Sequence, residues 1–274
     1  MSRPLLVGSD IDGTLITGTE RISPRTRDCL RRFINAGGAL VLATGRPPRW
    51  LLPVLEQLPV RPMAVCANGA VLYDSAVDQI VETHPLYPRQ LRTIVDTARD
   101  IFAGDGGVGI AVERAGTSAF DPQPELFIIA PDWAHAWPTI NFGEASEDEL
   151  LAEPAIKLLL RNEELDSADM YRRLAPEISP ELAHLTYSFS DGLLEFAAPG
   201  ITKATGLRGI ARILGTPSER VICFGDMPND IEMLRWAGTG VAMGNAAPEV
   251  KAAADLTTLT NNEDGLAAVL ERWY

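Results

Sequence analysis

Asp10-Ile11-Asp12-Gly13-Thr14 sets two carboxylates two residues apart in front of a glycine. A turn at Gly13 lets both approach one site, where one can attack as a nucleophile and the other can shuttle a proton. A polar turn at a strand end would show the same letters. Gly225-Asp226-Met227-Pro228-Asn229-Asp230 gathers further acidic groups between the apolar run VICF and the segment IEMLRWA. Asp and Asn there could simply cap a helix, with Pro228 near its first turn. If Asp10, Asp12, Asp226 and Asp230 converge, they repel one another unless a cation sits among them. Hard oxygen ligands with no His or Cys nearby point to Mg2+ rather than zinc. Thr44, in Thr44-Gly45-Arg46, offers a hydroxyl to a phosphoryl oxygen or a cap to a helix. Lys203 opens a predicted helix, where its charge opposes the macrodipole, so either an anion lies nearby or the side chain is solvated. Only Lys157, Lys203 and Lys251 are lysines, which makes such a position more informative.

The elements around these motifs place them at strand ends. An apolar run at 5–7 precedes the first motif, and a helix is predicted over Pro24–Asn35 with Ser23 as N-cap and Pro24 at the first helical position. Ala39–Ala43 reads as a buried strand, 50–58 as a helix and 63–67 as a strand. This alternation signals a parallel sheet covered by helices. A hairpin over 71–73 and 79–82 and a helix over 88–101 follow. Strands and helices then mix less regularly, with acidic stretches at 144–153 and 163–169 read as solvated helix faces and N-terminal turns. Regular alternation returns from Thr202: helix 202–214, strand 220–224, helix 229–237, strand 240–243, helix 248–254 and a last helix from Glu263. Gly104-Asp105-Gly106-Gly107-Val108-Gly109 matches G-x-G-x-x-G, but it follows a helix and leads into a strand, the reverse of a dinucleotide site.

With 274 residues, 46% hydrophobic and 22% charged, the chain has a globular composition and room for roughly two domains. The net charge of −13 opposes nucleic acid and anionic membranes. It would also oppose an anionic small substrate, unless a bound cation reverses the local field. Cys29, Cys66 and Cys223 are odd in number and widely spaced, and His84, His135 and His184 lie far apart. A reducing cytoplasm is therefore expected. The first residues do not read as a signal peptide, and no apolar run reaches the ~18 residues of a membrane span.

In order and position, the four motifs resemble those of the haloacid dehalogenase (HAD) superfamily of phosphatases. DIDGTL is similar to its first motif, ATGR to its second, the lysine of GITK to its third and GDMPND to its fourth. CANGA (66–70), LEFAAPGITKATGL (194–207), VAMGNAAPEVKAAAD (241–255) and TNNEDGLAAVL (260–270) resemble the Cof-type branch with a large α/β cap (type IIB). The resemblance implies an α/β fold with a parallel Rossmann-like three-layer core, 1–82 and 192–274, interrupted by an inserted cap domain over 83–191. It implies a Mg2+-dependent phosphatase of small phosphomonoesters that works through an aspartyl-phosphate. Asp10 would be the nucleophile and Asp12 the acid and base. Mg2+ would be held by Asp10, the backbone carbonyl of Asp12 and Asp226, with Asp230 supporting it directly or through water. Thr44 and Lys203 would bind the phosphoryl oxygens beside Asn229, with Gly45, Arg46, Asn68 and Asn245 as further candidates for lining the site. A sugar phosphate is the first expectation for substrate, and a phosphorylated cofactor such as FMN or pyridoxal phosphate the second. Trp133 and Trp137, four residues apart, either stack on a substrate ring or pack in a core. Neither nucleic acid nor membrane is expected as partner, and the oligomeric state is left between monomer and weak dimer. The rivals are a phosphosugar mutase and a single-domain signalling receiver, which lacks both the insertion and the second Asp of D-x-D-G-T.

Overall fold

A computed structural model describes residues 3–133 and 141–274. Trp137 and His135 lie outside the described residues. The chain divides into two compact units, Met1–Val81 with Thr202–Tyr274, and Glu82–Ile201.

The first unit begins with β1 (Leu6–Ser9), β2 (Ala39–Ala43), β3 (Met63–Cys66), β4 (Val71–Asp74) and β5 (Gln79–Thr83). Between β1 and β2 runs the helix Pro24–Asn35, with the predicted bounds, because Ser23 accepts a hydrogen bond from the Thr26 amide at its start. The helix predicted over 50–58 is cut short. Pro47, Pro48 and Pro53 leave a 3-10 turn at Pro48–Trp50 and a single α-turn at Leu52–Leu55.

The second unit contributes β6 (Gly109–Glu113), β7 (Phe127–Ile129), β8 (Gly143–Glu144), β9 (Lys157–Arg161), β10 (His184–Thr186) and β11 (Leu193–Ala197). They form a six-stranded sheet in the order β10-β11-β9-β6-β7-β8. Alternate side chains serve opposite faces, as the two-residue period requires. Ile110, Val112, Leu158, Leu160, Leu194 and Phe196 join the core made with the helices Pro88–Phe102 and Ser167–Leu174. Ala111, Leu159 and Leu193 instead join Phe127, Ile129 and Trp133. The acidic stretches cap helices here: Ser146 and Glu149 form a capping box, and Asp166 accepts from the Asp169 amide. The glycine-rich decoy is a loop ahead of β6.

The chain returns with the helix Lys203–Ile213, β12 (Val221–Gly225), β13 (Thr239–Ala242) and β14 (Leu256–Thr257). The unit boundary falls after Ile201 rather than at 191, because β11 pairs with β9 and β10 inside the six-stranded sheet. The eight-stranded sheet has the order β14-β13-β12-β1-β2-β3-β4-β5, parallel from β14 through β3 and antiparallel from β3 to β4. Leu6, Val41, Val65, Val221 and Cys223 pack on one face against Leu207 and Ile210 of the helix Lys203–Ile213 and Met233 and Leu234 of the helix Ile231–Trp236. The helices Pro24–Asn35 and Gly265–Leu270 pack on each other. The connections leave β1 toward β2 on one side, and β12 lies on the other, so the strand order reverses beside β1. The crevice outside the carboxyl ends at such a point is where open α/β sheets bind ligands.

Candidate active site

Asp10 follows β1, and its amide donates to the Phe224 carbonyl of β12 at 3.0 Å, so the ladder carries it to the strand ends. The chain then turns. Asp12 is extended and Gly13 has φ +70°, and the Ile16 amide closes a wide loop on the Ile11 carbonyl at 3.1 Å. A side chain at Gly13 would put its Cβ 2.2 Å from Asp226 Oδ2, so the close approach of the two acidic motifs requires glycine.

Lys203 joins them. Its Nζ donates to Asp10 Oδ1 and to Asp230 Oδ1, both at 2.7 Å, and the lysine is 1% exposed. Asp230 Oδ2 accepts from the amides of Asp226 (2.9 Å) and Met227 (3.0 Å). Thr14 Oγ1 donates to Asp226 Oδ1 at 2.7 Å, and Asn245 Nδ2 donates to the Gly13 carbonyl at 2.9 Å and to Asp226 Oδ2 at 3.2 Å. Asn245 is itself held, accepting from the Asn261 amide at 3.1 Å. The Thr14 side chain and the Asn261 backbone amide are supports that sequence reasoning gave no role. Both residues lie in motif segments, DIDGTL and TNNEDGLAAVL, but a backbone amide carries no sequence signal of its own.

The electrostatics follow from burial. Loss of water pushes the Asp10 carboxyl well above its ordinary range, against the pull of Lys203, with Asp230, Asp226 and Asp12 adding to the rise. Burial also raises Asp226, to about 7, helped by Asp230 and opposed by the Thr14 hydrogen bond and Lys203. Burial works against the Lys203 charge, but Asp10 and Asp230 outweigh it and hold the ammonium protonated. Asp10, Asp226 and Asp230 each bring an oxygen within 4.8 Å of the others. Three buried carboxylates against one buried ammonium is a hard, oxygen-only donor set with negative charge to spare, which fits a divalent cation such as Mg2+.

Asp12 lies apart from that cluster by its side chain, 48% exposed and gripped by Arg46. Arg46 Nε donates to Asp12 Oδ2 at 2.8 Å and Nη2 to Asp12 Oδ1 at 2.5 Å, a bidentate pair. The Arg46 amide donates to Thr44 Oγ1 at 3.0 Å, which leaves the Thr44 hydroxyl hydrogen for another acceptor. Thr44 follows β2, and Gly45 sits half-buried between it and Arg46. Asn229 Nδ2 donates to Asn68 Oδ1 at 3.0 Å, and both residues are buried. Trp133 lies elsewhere, in the second unit, 6.3 Å from Phe127 in an edge-to-face contact within the apolar cluster named above, so its role there is packing.

The family model of the haloacid dehalogenase-like hydrolases matches residues 7–270. A 5-amino-6-(5-phospho-D-ribitylamino)uracil phosphatase of Bacillus subtilis is 30% identical over 273 residues, covering 100% of this chain and 98% of the relative. A pyridoxal phosphate phosphatase of Escherichia coli is 27% identical and covers 96% of each chain. Among solved structures, a HAD subclass IIB sugar phosphatase superposes with a TM-score of 0.76 at 22% identity over 99% of both chains. A Bacteroides thetaiotaomicron phosphatase of the superfamily gives 0.78 at 23% identity, over 99% of this chain and 95% of its own. These two likenesses concern the fold: a parallel α/β core with an inserted cap. The chain belongs to the haloacid dehalogenase-like hydrolases, as one of their phosphatases.

Proposed function

We propose that the protein hydrolyses small phosphomonoesters in two displacements, with Asp10 as the nucleophile. The observation that carries this reading is the buried Asp10 carboxylate held by Lys203 beside Asp226 and Asp230 at the ends of parallel strands. An Asp10 oxygen attacks phosphorus and the bond to the substrate's alcohol oxygen breaks, leaving an aspartyl-phosphate. Asp12 gives its proton to the departing alkoxide. The same carboxylate then takes a proton from water, whose oxygen attacks phosphorus, frees Asp10 and releases inorganic phosphate. Arg46 holds Asp12 through both oxygens as a carboxylate, so to act as the acid Asp12 must leave this pair and take up a proton before the alcohol departs. Lys203 spends two of its three N–H donors on Asp10 and Asp230, leaving one for a phosphoryl oxygen, and the Thr44 hydroxyl supplies another donor.

Asp10, Asp226 and the backbone carbonyl of Asp12 are the groups that would hold Mg2+, with Asp230, whose two oxygens already accept from Lys203 and from the Asp226 and Met227 amides, supporting it directly or through water. When bound, the ion neutralises charge on the carboxylates and on the phosphoryl group. The substrate is a small phosphorylated metabolite. The expectation of a sugar phosphate is widened by the two curated relatives, whose names specify a phosphorylated cofactor and a phosphoribityl compound. A phosphate ester on a sugar, a sugar-alcohol chain or a cofactor is the class we assign. Three buried cysteines, none of them in a disulfide, support a reducing, cytoplasmic setting.

With Mg2+, the purified protein should release phosphate from an aryl phosphate, and Asp10→Asn should abolish that release. A fully active Asp10→Asn variant would overturn the nucleophile. Transfer to a sugar acceptor with no free phosphate would favour the mutase. A panel of sugar, polyol and cofactor phosphates ranked by kcat/KM would name the substrate.

A further inference from the structure

Between β3 and β4 the backbone makes an uncommon turn. Ala67, Asn68 and Gly69 are consecutive residues in left-handed conformation, with φ of 48°, 56° and 106°, and all three are buried. Ala67 and Asn68 carry β-carbons that disfavour this region, although Asn tolerates it better than most residues. Strain of this kind persists only where the surroundings impose it, and it gathers at functional sites.

The surroundings here are the segments that carry the site. The Ala67 amide donates to the Arg46 carbonyl and the Asn68 amide to the Thr44 carbonyl, both at 3.0 Å. A Cβ at Gly69 would lie 2.2 Å from the carbonyl oxygen of Thr202, the N-cap of the helix whose first residue is Lys203. The Asn68 side chain accepts from Asn229. One strained turn thus touches the loops bearing Thr44 and Arg46, the start of the Lys203 helix and Asn229.

Asn229 is 5% exposed, yet its Oδ1 is buried without a hydrogen-bond partner. An unmet buried polar atom calls for an explanation. A primary amide has an acceptor end and a donor end, and Asn68 has both as well. With Asn68 Oδ1 forward, as here, Asn229 commits one of its two N–H donors and leaves its acceptor unmet. With the Asn68 amide turned, Asn68 Nδ2 would satisfy Asn229 Oδ1 and leave both Asn229 N–H donors uncommitted. That donor end is the one a phosphoryl oxygen accepts from.

We infer that Asn68 is a positioning residue for phosphoryl transfer: its side-chain amide sets which end of the Asn229 amide is left for the phosphoryl group. The inference rests on the phosphatase reading above. It also explains why asparagine stands at a left-handed position where glycine would be less strained: glycine supplies the backbone but no amide.

The test measures kcat, KM and the inhibition constant for inorganic phosphate on an aryl phosphate, together with Tm. Asn68→Gly keeps the left-handed backbone and removes the amide. It should retain the parental Tm, lose about tenfold in kcat/KM and bind inorganic phosphate correspondingly more weakly. Asn68→Asp keeps the shape but only accepts, so it should lose at least as much. Ala67→Gly relieves the same turn without touching Asn229 and should stay within about twofold of the parent. In the Asn229→Ala background, Asn68→Gly should cost nothing further, because the two act as one unit. Parental kinetics in Asn68→Gly or Asn68→Asp, or losses that multiply in the double variant, would overturn the inference while leaving the phosphatase reading intact. A Tm that falls in step with activity across the Asn68 variants would overturn it too, assigning the turn to folding alone. A parent that turns over no aryl phosphate overturns both.

Discussion

Lys203 and Lys157 are both buried, 1% and 7% exposed, and each pairs with carboxylates, one in each unit. Lys203 opens a helix and reaches Asp10 and Asp230, on segments that follow two parallel strands. Lys157 begins β9 inside an antiparallel ladder, opposite Glu113 in register, and pairs with Glu195 of β11, which the Ser188 hydroxyl also donates to. Around Lys203 the acids sit on turns, free of ladder geometry, and they converge until Asp226 is pushed up to about 7. Around Lys157 the partners sit on neighbouring strands, where alternation aligns them on one face with Ala111, Leu159 and Leu193. Burial of a lysine therefore does not by itself mark a reaction site. What separates the two is that one cluster lies beyond the strand ends and the other is woven into the sheet.

The largest expected effect tests the first side of that contrast. Lys203→Met removes the cation shared by Asp10 and Asp230 and should lower kcat/KM by on the order of 10³-fold, in line with losing a preorganised charge contact at a reacting centre. Steady-state rates on an aryl phosphate decide it. A variant retaining a tenth of parental activity would erase the distinction between the two lysines. The matching change in the second unit reads out in stability. Lys157→Met leaves Glu195 buried without its ammonium and should cost about 3–5 kcal/mol in urea unfolding. The joint Lys157→Met, Glu195→Leu variant should recover at least half of that, since an apolar pair does not need a counter-charge. A loss below about 1 kcal/mol in the single variant would make the pair incidental.

The same contrast explains what could be read from the sequence. Asp10, Asp226, Thr44 and Lys203 were visible because each follows an apolar run or opens a helix, so position along the chain already places them at one edge of a sheet. The helix Pro24–Asn35 was visible because Ser23 and Pro24 mark its start chemically. The Lys157–Glu195 pair was not, because it depends on which strand lies beside which, and KLLLR and LLEFA carry no trace of that register. For the same reason the resemblance of LEFAAPGITKATGL places LEFAA within the core segment 192–274, whereas β11 belongs to the other sheet. The Asn68-Gly69 step announced a turn. Its left-handed run and its hold on Asn229 come from contacts with segments distant in sequence. The Arg46 grip on Asp12 is equally hidden: each residue stands in its own motif, but their pairing comes from the fold.

The smallest effect comes from removing the metal, and it discriminates between the two clusters by pH. In the metal-free protein the Asp226 carboxyl titrates near 7, because burial and Asp230 outweigh Thr14 and Lys203. Its folded value lies above that of the unfolded chain. Between the two, the folded protein binds more protons, so this group's contribution to stability is present at low pH and is lost as pH rises toward 7. Mg2+ should restore what ionisation removes, since it binds the deprotonated carboxylates and stabilises the folded state by mass action. At 100-fold excess over Kd that gain is about 2.7 kcal/mol, several degrees in Tm for a protein of this size. Paired melts with EDTA and with Mg2+ should therefore separate clearly at pH 8 and converge near pH 5.5. Asp226→Asn should abolish the separation, while the Lys157→Met, Glu195→Leu protein should keep it, because that pair takes no part in holding the ion. Equal shifts at both pH values, or a shift that survives Asp226→Asn, would place the cation outside the Asp10–Asp226–Asp230 cluster and remove the property that sets Lys203 apart.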